Sequence, residues 1–184
     1  MIALLVFLAI AAVLIATGIN LYNSLVRARN QVKNAWSQID VQLKRRHDLI
    51  PNLIETAKGY VTHERGTLES VTNARARAMG AGSVAEKSRA ETALSAEMGN
   101  FFVVVENYPD LKANQNFLAL QEELSSTENK IAFARQAYND QALFLNNRIE
   151  TFPSNLIAGA YSFRKEEYFE LEDKQDREVP KVQF

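Results

Sequence analysis

The sequence contains no cysteine and only two histidines, His47 and His63. Without thiols, disulfides, thiolate chemistry and cysteine-linked lipids are excluded. A di-iron helical bundle needs Glu-x-x-His motifs on two helices, and neither histidine lies in one. His63-Glu64 also lacks the second histidine of a zincin, because position 67 is threonine. We therefore expect no metal site and no cofactor.

Glycine and proline are also scarce, at seven and four residues in a chain of 184. So few turn-forming residues are typical of a protein built from a few long helices. Gly80-Ala81-Gly82 lacks the lysine of a phosphate-binding loop, and no serine lies in a nucleophile-elbow sequence. The sequence therefore predicts no enzyme active site and no small-molecule substrate.

Neither sign of charge is in excess. Lysine and arginine number 21 and aspartate and glutamate 22, for a formal net charge of -1. A chain with this balance has no global basic field to attract nucleic acid, so we expect no nucleic-acid partner.

A long apolar run stands at the start of the chain. Residues Ile2 to Ile19 carry no charge, and Thr17 is their only polar side chain. At 1.5 Å per residue they span about 27 Å, which approaches the thickness of a bilayer core. A cleaved signal peptide would have a basic residue before the run and a small-x-small site after it, and neither is convincing here. The run predicts a membrane anchor, with a buried core helix of a soluble protein as the alternative.

The charges beside this run predict its orientation. Arg27, Arg29 and Lys33 follow it with no acid before Asp40, and no basic residue precedes it. By the positive-inside rule, the rest of the chain is expected in the cytoplasm. The periplasmic or extracellular side stays open as the alternative.

Helical spacing of apolar residues continues through most of the chain. The first stripe predicts helix one over about 23–46, and Pro51 then interrupts the pattern, with Asp48 as the cap of helix two. Helix two is predicted to end at Gly80, and Ser83 with Glu86 forms a capping box for helix three. Helix three is predicted to stop at Pro109, and a fourth, longer helix to end near residue 152.

Four amphipathic helices joined by short turns pack most simply as antiparallel neighbours. We therefore predict an all-α fold, with a transmembrane helix followed by an up-down-up-down antiparallel four-helix bundle. The predicted domains are residues 1–22 as the anchor, 23–152 as the bundle, and 153–184 as a partly extended C-terminal segment. Within that segment, Leu156 to Phe163 is expected to pack against the base of the bundle or to lie in the membrane interface.

Charged residues on the apolar stripes form the first candidate site. Two are acidic and two are basic, and they lie on helices two and four: Glu64, Arg75, Glu128 and Arg135. One interpretation is a paired polar layer that fixes the register of the bundle. The other is a binding site for a polar ligand.

The second candidate is a basic corner at the predicted end of helix one, made of Lys44, Arg45, Arg46 and His47. In an up-down bundle it lies roughly 35 Å from the membrane at 1.5 Å per residue. Cations at a helix C-terminus are commonly solvated and interact favourably with the helix dipole. An exposed corner of this kind is also where a protein partner would first meet the bundle.

Several motifs together resemble the bacterial LemA family over essentially the whole chain. The longest is residues 34–53, which read NAWSQIDVQLKRRHDLIPNL. The others are Gly59-Tyr60, His63-Glu64, residues 108–114 (YPDLKAN), Glu122-Glu123-Leu124 with Glu128, Tyr138-Asn139, Phe152-Pro153 and residues 180–184 (PKVQF). The resemblance implies an N-terminal anchor and a four-helix bundle, and no established reaction. A related branch is associated with magnetosome membrane biogenesis.

These observations favour a non-enzymatic scaffold in the bacterial inner membrane. It is expected to bind other proteins and to associate with further copies of itself. The alternative is a membrane-remodelling or envelope-stress factor that acts directly on lipid.

Overall fold

A computed structural model describes residues 1–61 and 64–169. It contains six α-helices: α1 (Ile2–Lys58), α2 (Arg65–Gly80), α3 (Val84–Val105), α4 (Pro109–Lys112), α5 (Gln115–Glu150) and α6 (Ser154–Ala160). None of the residues in these two ranges forms a strand. The predicted all-α class is therefore confirmed for the described residues. The predicted extended end of the tail, residues 179–184, lies beyond them.

The chain divides into two compact units, and α1 and α5 contribute to both. The first unit comprises Met1–Asp40 and Ala132–Tyr168. The second comprises Val41–Ile131 together with Phe169 among the described residues.

The first unit is built on α1 and the second half of α5. The apolar window of α1 is long enough to cross a membrane and none of it is buried, which is consistent with a membrane anchor. Directly after it, α1 buries Leu25, Ala28, Val32 and Ile39, while α5 buries Tyr138, Ala142 and Leu145. The two helices are antiparallel here, because the rings of Trp36 and Tyr138 lie 5.3 Å apart and Arg148 donates to the hydroxyl of Ser24.

The segment after α6 lies along the first unit and is attached to it through its backbone. Asn146 donates to the carbonyl of Glu166 and accepts from its N–H, each at 2.9 Å. Tyr138 Oη donates to the carbonyl of Glu167 at 2.7 Å. Burial of this phenol, with the nearby carboxylates of Glu166 and Glu167, raises the pKa of Tyr138 to about 12. Hydrogen bonds from two buried α5 side chains thus attach the backbone at Glu166 and Glu167, which is neither helix nor strand, to the first unit.

The second unit contains a hairpin of α2 and α3 beside parts of α1 and α5. The capping box predicted at the start of α3 is confirmed, with Ser83 Oγ accepting from Glu86 N–H and the Glu86 carboxylate accepting from Ser83 N–H. The backbone N–H groups of Ser83 and Gly82 lower the pKa of Glu86. The core of the unit includes residues from all four longer helices: Ile50, Leu53, Val71, Ala74, Leu94, Phe101 and Phe117.

The predicted boundary between helix one and helix two at Asp48 is wrong. Helix α1 continues past Arg46 and through Pro51 to Lys58. A proline inside a helix leaves the carbonyl four residues earlier without its N–H partner. Here that carbonyl belongs to His47, and Arg75 Nε donates to it at 2.6 Å. A side chain from α2 thus replaces the hydrogen bond that Pro51 removes.

The later boundaries fall close to the predicted ones. Helix α3 ends at Val105, and Pro109 begins the short α4 rather than stopping a longer helix. Proline is well accommodated in a helix's first turn, where its missing N–H has no intrahelical partner. The side chain of Asn114 then accepts from the N–H groups of Asn116 and Phe117, which caps the start of α5.

We predict that Arg75→Leu lowers the free energy of unfolding by about 1–3 kcal/mol, because a half-buried carbonyl is left without a donor. In a Pro51→Ala background the same change should cost less, since the alanine introduced at position 51 has an N–H for His47. Urea unfolding of the four proteins in detergent, followed by helical circular dichroism, measures this coupling. An equal loss in both backgrounds would contradict the proposed replacement.

The raised pKa of Tyr138 predicts that the folded state loses stability at alkaline pH. The folded pKa of Tyr138, about 12, lies above the ordinary tyrosine pKa of 10.0, so the folded state favours the neutral phenol. The resulting stability is complete below pH 10 and is lost as the pH rises toward 12. An alkaline titration followed by phenolate absorbance should show one tyrosine that ionises at higher pH than the others. This ionisation should be absent from Tyr138→Phe. Identical high-pH titration limbs in both proteins would refute this assignment.

Candidate functional site

Two residues of the predicted basic corner lie in the interior of the second unit. Because α1 does not end at Arg46, its apolar stripe continues from Leu43 to Ile50, and Arg46 lies between them at helical spacing. Arg46 is 5% exposed and His47 is 8% exposed. The carboxylate that faces them belongs to Glu91 of α3, which is 3% exposed.

The contacts of these buried groups form one connected network. His47 Nε2 lies 2.7 Å from Glu91 Oε1, and Arg46 Nη1 lies 3.3 Å from Glu91 Oε2. Arg46 Nη1 is also 3.3 Å from Glu128 Oε2, and Arg46 Nη2 donates to Ser95 Oγ at 2.8 Å. The guanidinium therefore connects α1 with both α3 and α5. We call Arg46, His47, Glu91, Ser95 and Glu128 the buried charge network.

An open cavity of about 450 Å³ lies beside this network. Its walls come from α1, α3 and α5, and they include both polar and apolar side chains: Arg46, Ser95, Met98, Gly99, Phe102, Gln121, Leu124, Ser125, Glu128 and Asn129. The side chain of Glu128 is 44% exposed, against 4% for Glu91. The cavity thus combines apolar lining residues with an exposed carboxylate, and this arrangement suits ligand binding.

The four residues of the predicted corner do not form one exposed surface. Lys44 and Arg45 are exposed, and they pair with Asp48 at 3.0 Å and with Glu123. Arg46 and His47 are buried, because a continuous α1 turns them toward Glu91. The expectation of a solvated helix end is therefore wrong for these two, and binding of a partner by the exposed pair stays a prediction.

The structure places the four predicted seam residues in different surroundings. Arg75 and Glu128 both contact neighbouring positions of α1, at the His47 carbonyl and the Arg46 guanidinium. Glu64 is the N-cap residue of α2, and its carbonyl accepts from the N–H groups of Thr67 and Leu68. Arg135 is partly buried and belongs to the first unit. The contacts of Arg75 and Glu128 agree with a structural layer, while the exposure of Glu128 also allows a ligand.

Sequence reasoning missed Glu91, which is the central group of the network. The signal was present, because Glu91 precedes Leu94, Met98 and Phe101 on the same face of α3 at spacings of three and four. Arg46 likewise lies at helical spacing on the apolar stripe of α1. This is not apparent when helix one is predicted to end at position 46. The His63-Glu64 pair considered for metal binding is only partly visible, because His63 lies outside the described residues. Within the described ranges, no group of three potential metal ligands occurs.

Comparison with known proteins agrees with the resemblance read from the motifs. The model of the LemA family matches residues 35–184. Protein LemA of Metamycoplasma hominis is 31% identical, over 74% of this chain and 63% of the relative.

Magnetosome proteins are a second group of relatives. Magnetosome protein MamQ 2 of Paramagnetospirillum magneticum is 23% identical, over 85% of this chain and 67% of the relative. Magnetosome protein MamQ of Magnetospirillum gryphiswaldense is 21% identical, over 80% of this chain and 64% of the relative. The match to Protein LemA covers less than two thirds of that relative's length.

The buried and exposed ion pairs of α1 should differ in their effect on stability. Glu91→Ala removes the buried carboxylate that both Arg46 and His47 contact and should lower the unfolding free energy by about 3–5 kcal/mol. The matched control Glu123→Ala removes only the exposed partner of Arg45 and should cost about 0–1 kcal/mol. Denaturant unfolding in detergent measures both changes. Similar losses for the two variants would contradict a central role for Glu91.

Proposed function

This chain belongs to the LemA family, and from that premise we propose that it is a membrane-anchored, non-enzymatic helical scaffold that assembles other membrane components. The proposal places Ile2 to Ile19 in the bacterial inner membrane. It places the bulk of the chain on the cytoplasmic side, following the cations Arg27, Arg29 and Lys33.

The observation that carries the proposal is the continuity of α1. The helix runs without a break from its exposed apolar window into a buried face that begins at Leu25, which is 0% exposed. Only five residues separate Leu25 from the end of the apolar run at Ile19. A body joined to its anchor in this way has no flexible linker, and this favours a role in which position at the membrane matters.

We further propose that residues 23–152 pack as an up-down-up-down four-helix bundle, with residues 1–22 as the anchor and 153–184 as a C-terminal segment. Two observations support this arrangement. In the second unit, α1 and α5 are antiparallel, since Asn114 donates to Tyr60 and Glu128 pairs with Arg46. The α2 and α3 helices are joined by three residues, as adjacent antiparallel helices require.

The relatives support a role at membranes, since two of them are named magnetosome proteins. Neither the description of the family nor the names of the relatives state a reaction. We propose that the partners are other proteins, including further copies of this chain. The cavity beside the buried charge network is the proposed contact surface, because the exposed carboxylate of Glu128 offers a charge there and the partly buried ring of Phe102 belongs to its lining.

A photo-crosslinking residue in place of Ser125, which is exposed and lines the cavity, tests this surface in native membranes. We expect discrete protein adducts, with one at twice the mass of the chain if it self-associates. Glu128→Leu should abolish the adducts while thermal unfolding stays cooperative. The control Glu122→Leu, an exposed change on α5 outside the cavity lining, should keep them. Adducts that survive Glu128→Leu would argue for a purely structural network.

The alternative function is direct action on lipid. Electron microscopy of vesicles containing the full chain separates the two, because a scaffold should leave vesicle shape unchanged. Tubulated or fragmented vesicles would favour the remodelling function instead.

A further inference from the structure

The first unit has a second apolar surface besides the apolar run of α1. It lies at the turn after α5 and on one side of α6, and we call residues 151–161 the α6 corner. We infer that the α6 corner is an additional membrane contact, which rests in the head-group region of the bilayer that holds α1. The inference depends on the anchoring role proposed above and adds a second contact between the first unit and the lipid surface.

Contacts within the first unit place the α6 corner level with the end of the apolar run. Ser24 of α1 meets Arg148 of α5, and the two helices are antiparallel. Phe152 follows Arg148 by four residues, so it lies about one helical turn, or roughly 6 Å, closer to the apolar run. That level corresponds to Asn20, the residue directly after the run.

An independent contact gives the same level for the other end of the corner. The ring of Tyr161 lies 4.8 Å from that of Tyr22, and the ring of Phe163 lies 5.9 Å from it. Tyr22 is three residues beyond Ile19, a rise of about 4.5 Å along the helix. Both ends of the α6 corner are therefore at the depth where a bilayer meets water if the apolar run spans it.

The corner has two different sides. Ser154 and Ala158 face inward and are 8% and 1% exposed. Phe152, Leu156 and Tyr161 face outward and are 79%, 63% and 63% exposed. Large apolar side chains with this exposure, next to a lipid-facing helix, would be covered by the membrane interface without any change in the fold.

The chemistry of the surroundings favours lipid over another protein as the occupant. Tyrosines concentrate at membrane interfaces, where the ring meets apolar chains and the hydroxyl meets water. Exposed cations adjoin the corner: Arg164 follows Phe163, and the guanidinium of Arg29 lies 5.2 Å from the Phe163 ring centroid. Cations this close to the membrane surface suit the phosphates of anionic lipids.

The absence of cysteine allows a direct test with the full-length chain. Phe152→Cys receives an environment-sensitive NBD label, and the protein is reconstituted in vesicles of phosphatidylcholine and phosphatidylglycerol. The matched control is Phe133→Cys on α5, where the native side chain is 74% exposed but lies about 28 Å farther from the apolar run. Leu14→Cys reports on the anchor itself, and Leu156→Cys is a second label site within the corner.

We expect label emission at positions 152 and 156 to shift to the blue and to be quenched by lipids carrying a shallow doxyl group. Position 133 should show neither effect, and position 14 should be quenched most by a deep doxyl group. Quenching at 14 without quenching at 152 and 156 would overturn the inference and leave the anchor intact. A blue shift at 152 without lipid quenching would also overturn it, because a protein surface then covers the corner. Loss of quenching at position 14 would overturn the anchor and the inference together.

Discussion

The hydrogen bond from Arg75 to the carbonyl of His47 is the interaction on which the second unit depends. Pro51 would otherwise leave that carbonyl without a partner and favour a break in α1. With the guanidinium in place, the helix continues to Lys58 and carries Ile50 and Leu53 into the core. A proline that resembles a helix start in the sequence is therefore accommodated within a helix.

The burial of charge follows from this continuity. An α1 that ended at position 46 would leave its last cations in water, whereas the continuous helix directs Arg46 and His47 toward Glu91. Desolvating these groups is unfavourable unless they are well paired, and the network supplies partners from α3 and α5. Glu128 is the member that also reaches solvent, so one side chain joins the structural network to the open cavity.

Much of the fold could be predicted because its signals are local. The apolar run of α1, the Ser83 capping box and the stripes of α3 and α5 all depend on spacing within one helix. The passage of α1 through Pro51 could not be predicted this way, because the replacing donor is 28 residues distant in the chain. The burial of Arg46 and His47 could not be predicted for the same reason, because it depends on the passage of α1 through Pro51. Glu91 differs, since its helical spacing from Leu94 and Met98 is a local signal that sequence reasoning missed.

The most direct test of the account is the length of α1 across Pro51. Spin labels at Val41→Cys and Lys58→Cys, both exposed native positions, give this distance by pulsed electron paramagnetic resonance on the full chain. An unbroken helix of 17 steps predicts a narrow distribution near about 26 Å. A broad distribution, or one much shorter than this, would mean that the chain turns at Pro51. The buried charge network would then lose its structural basis.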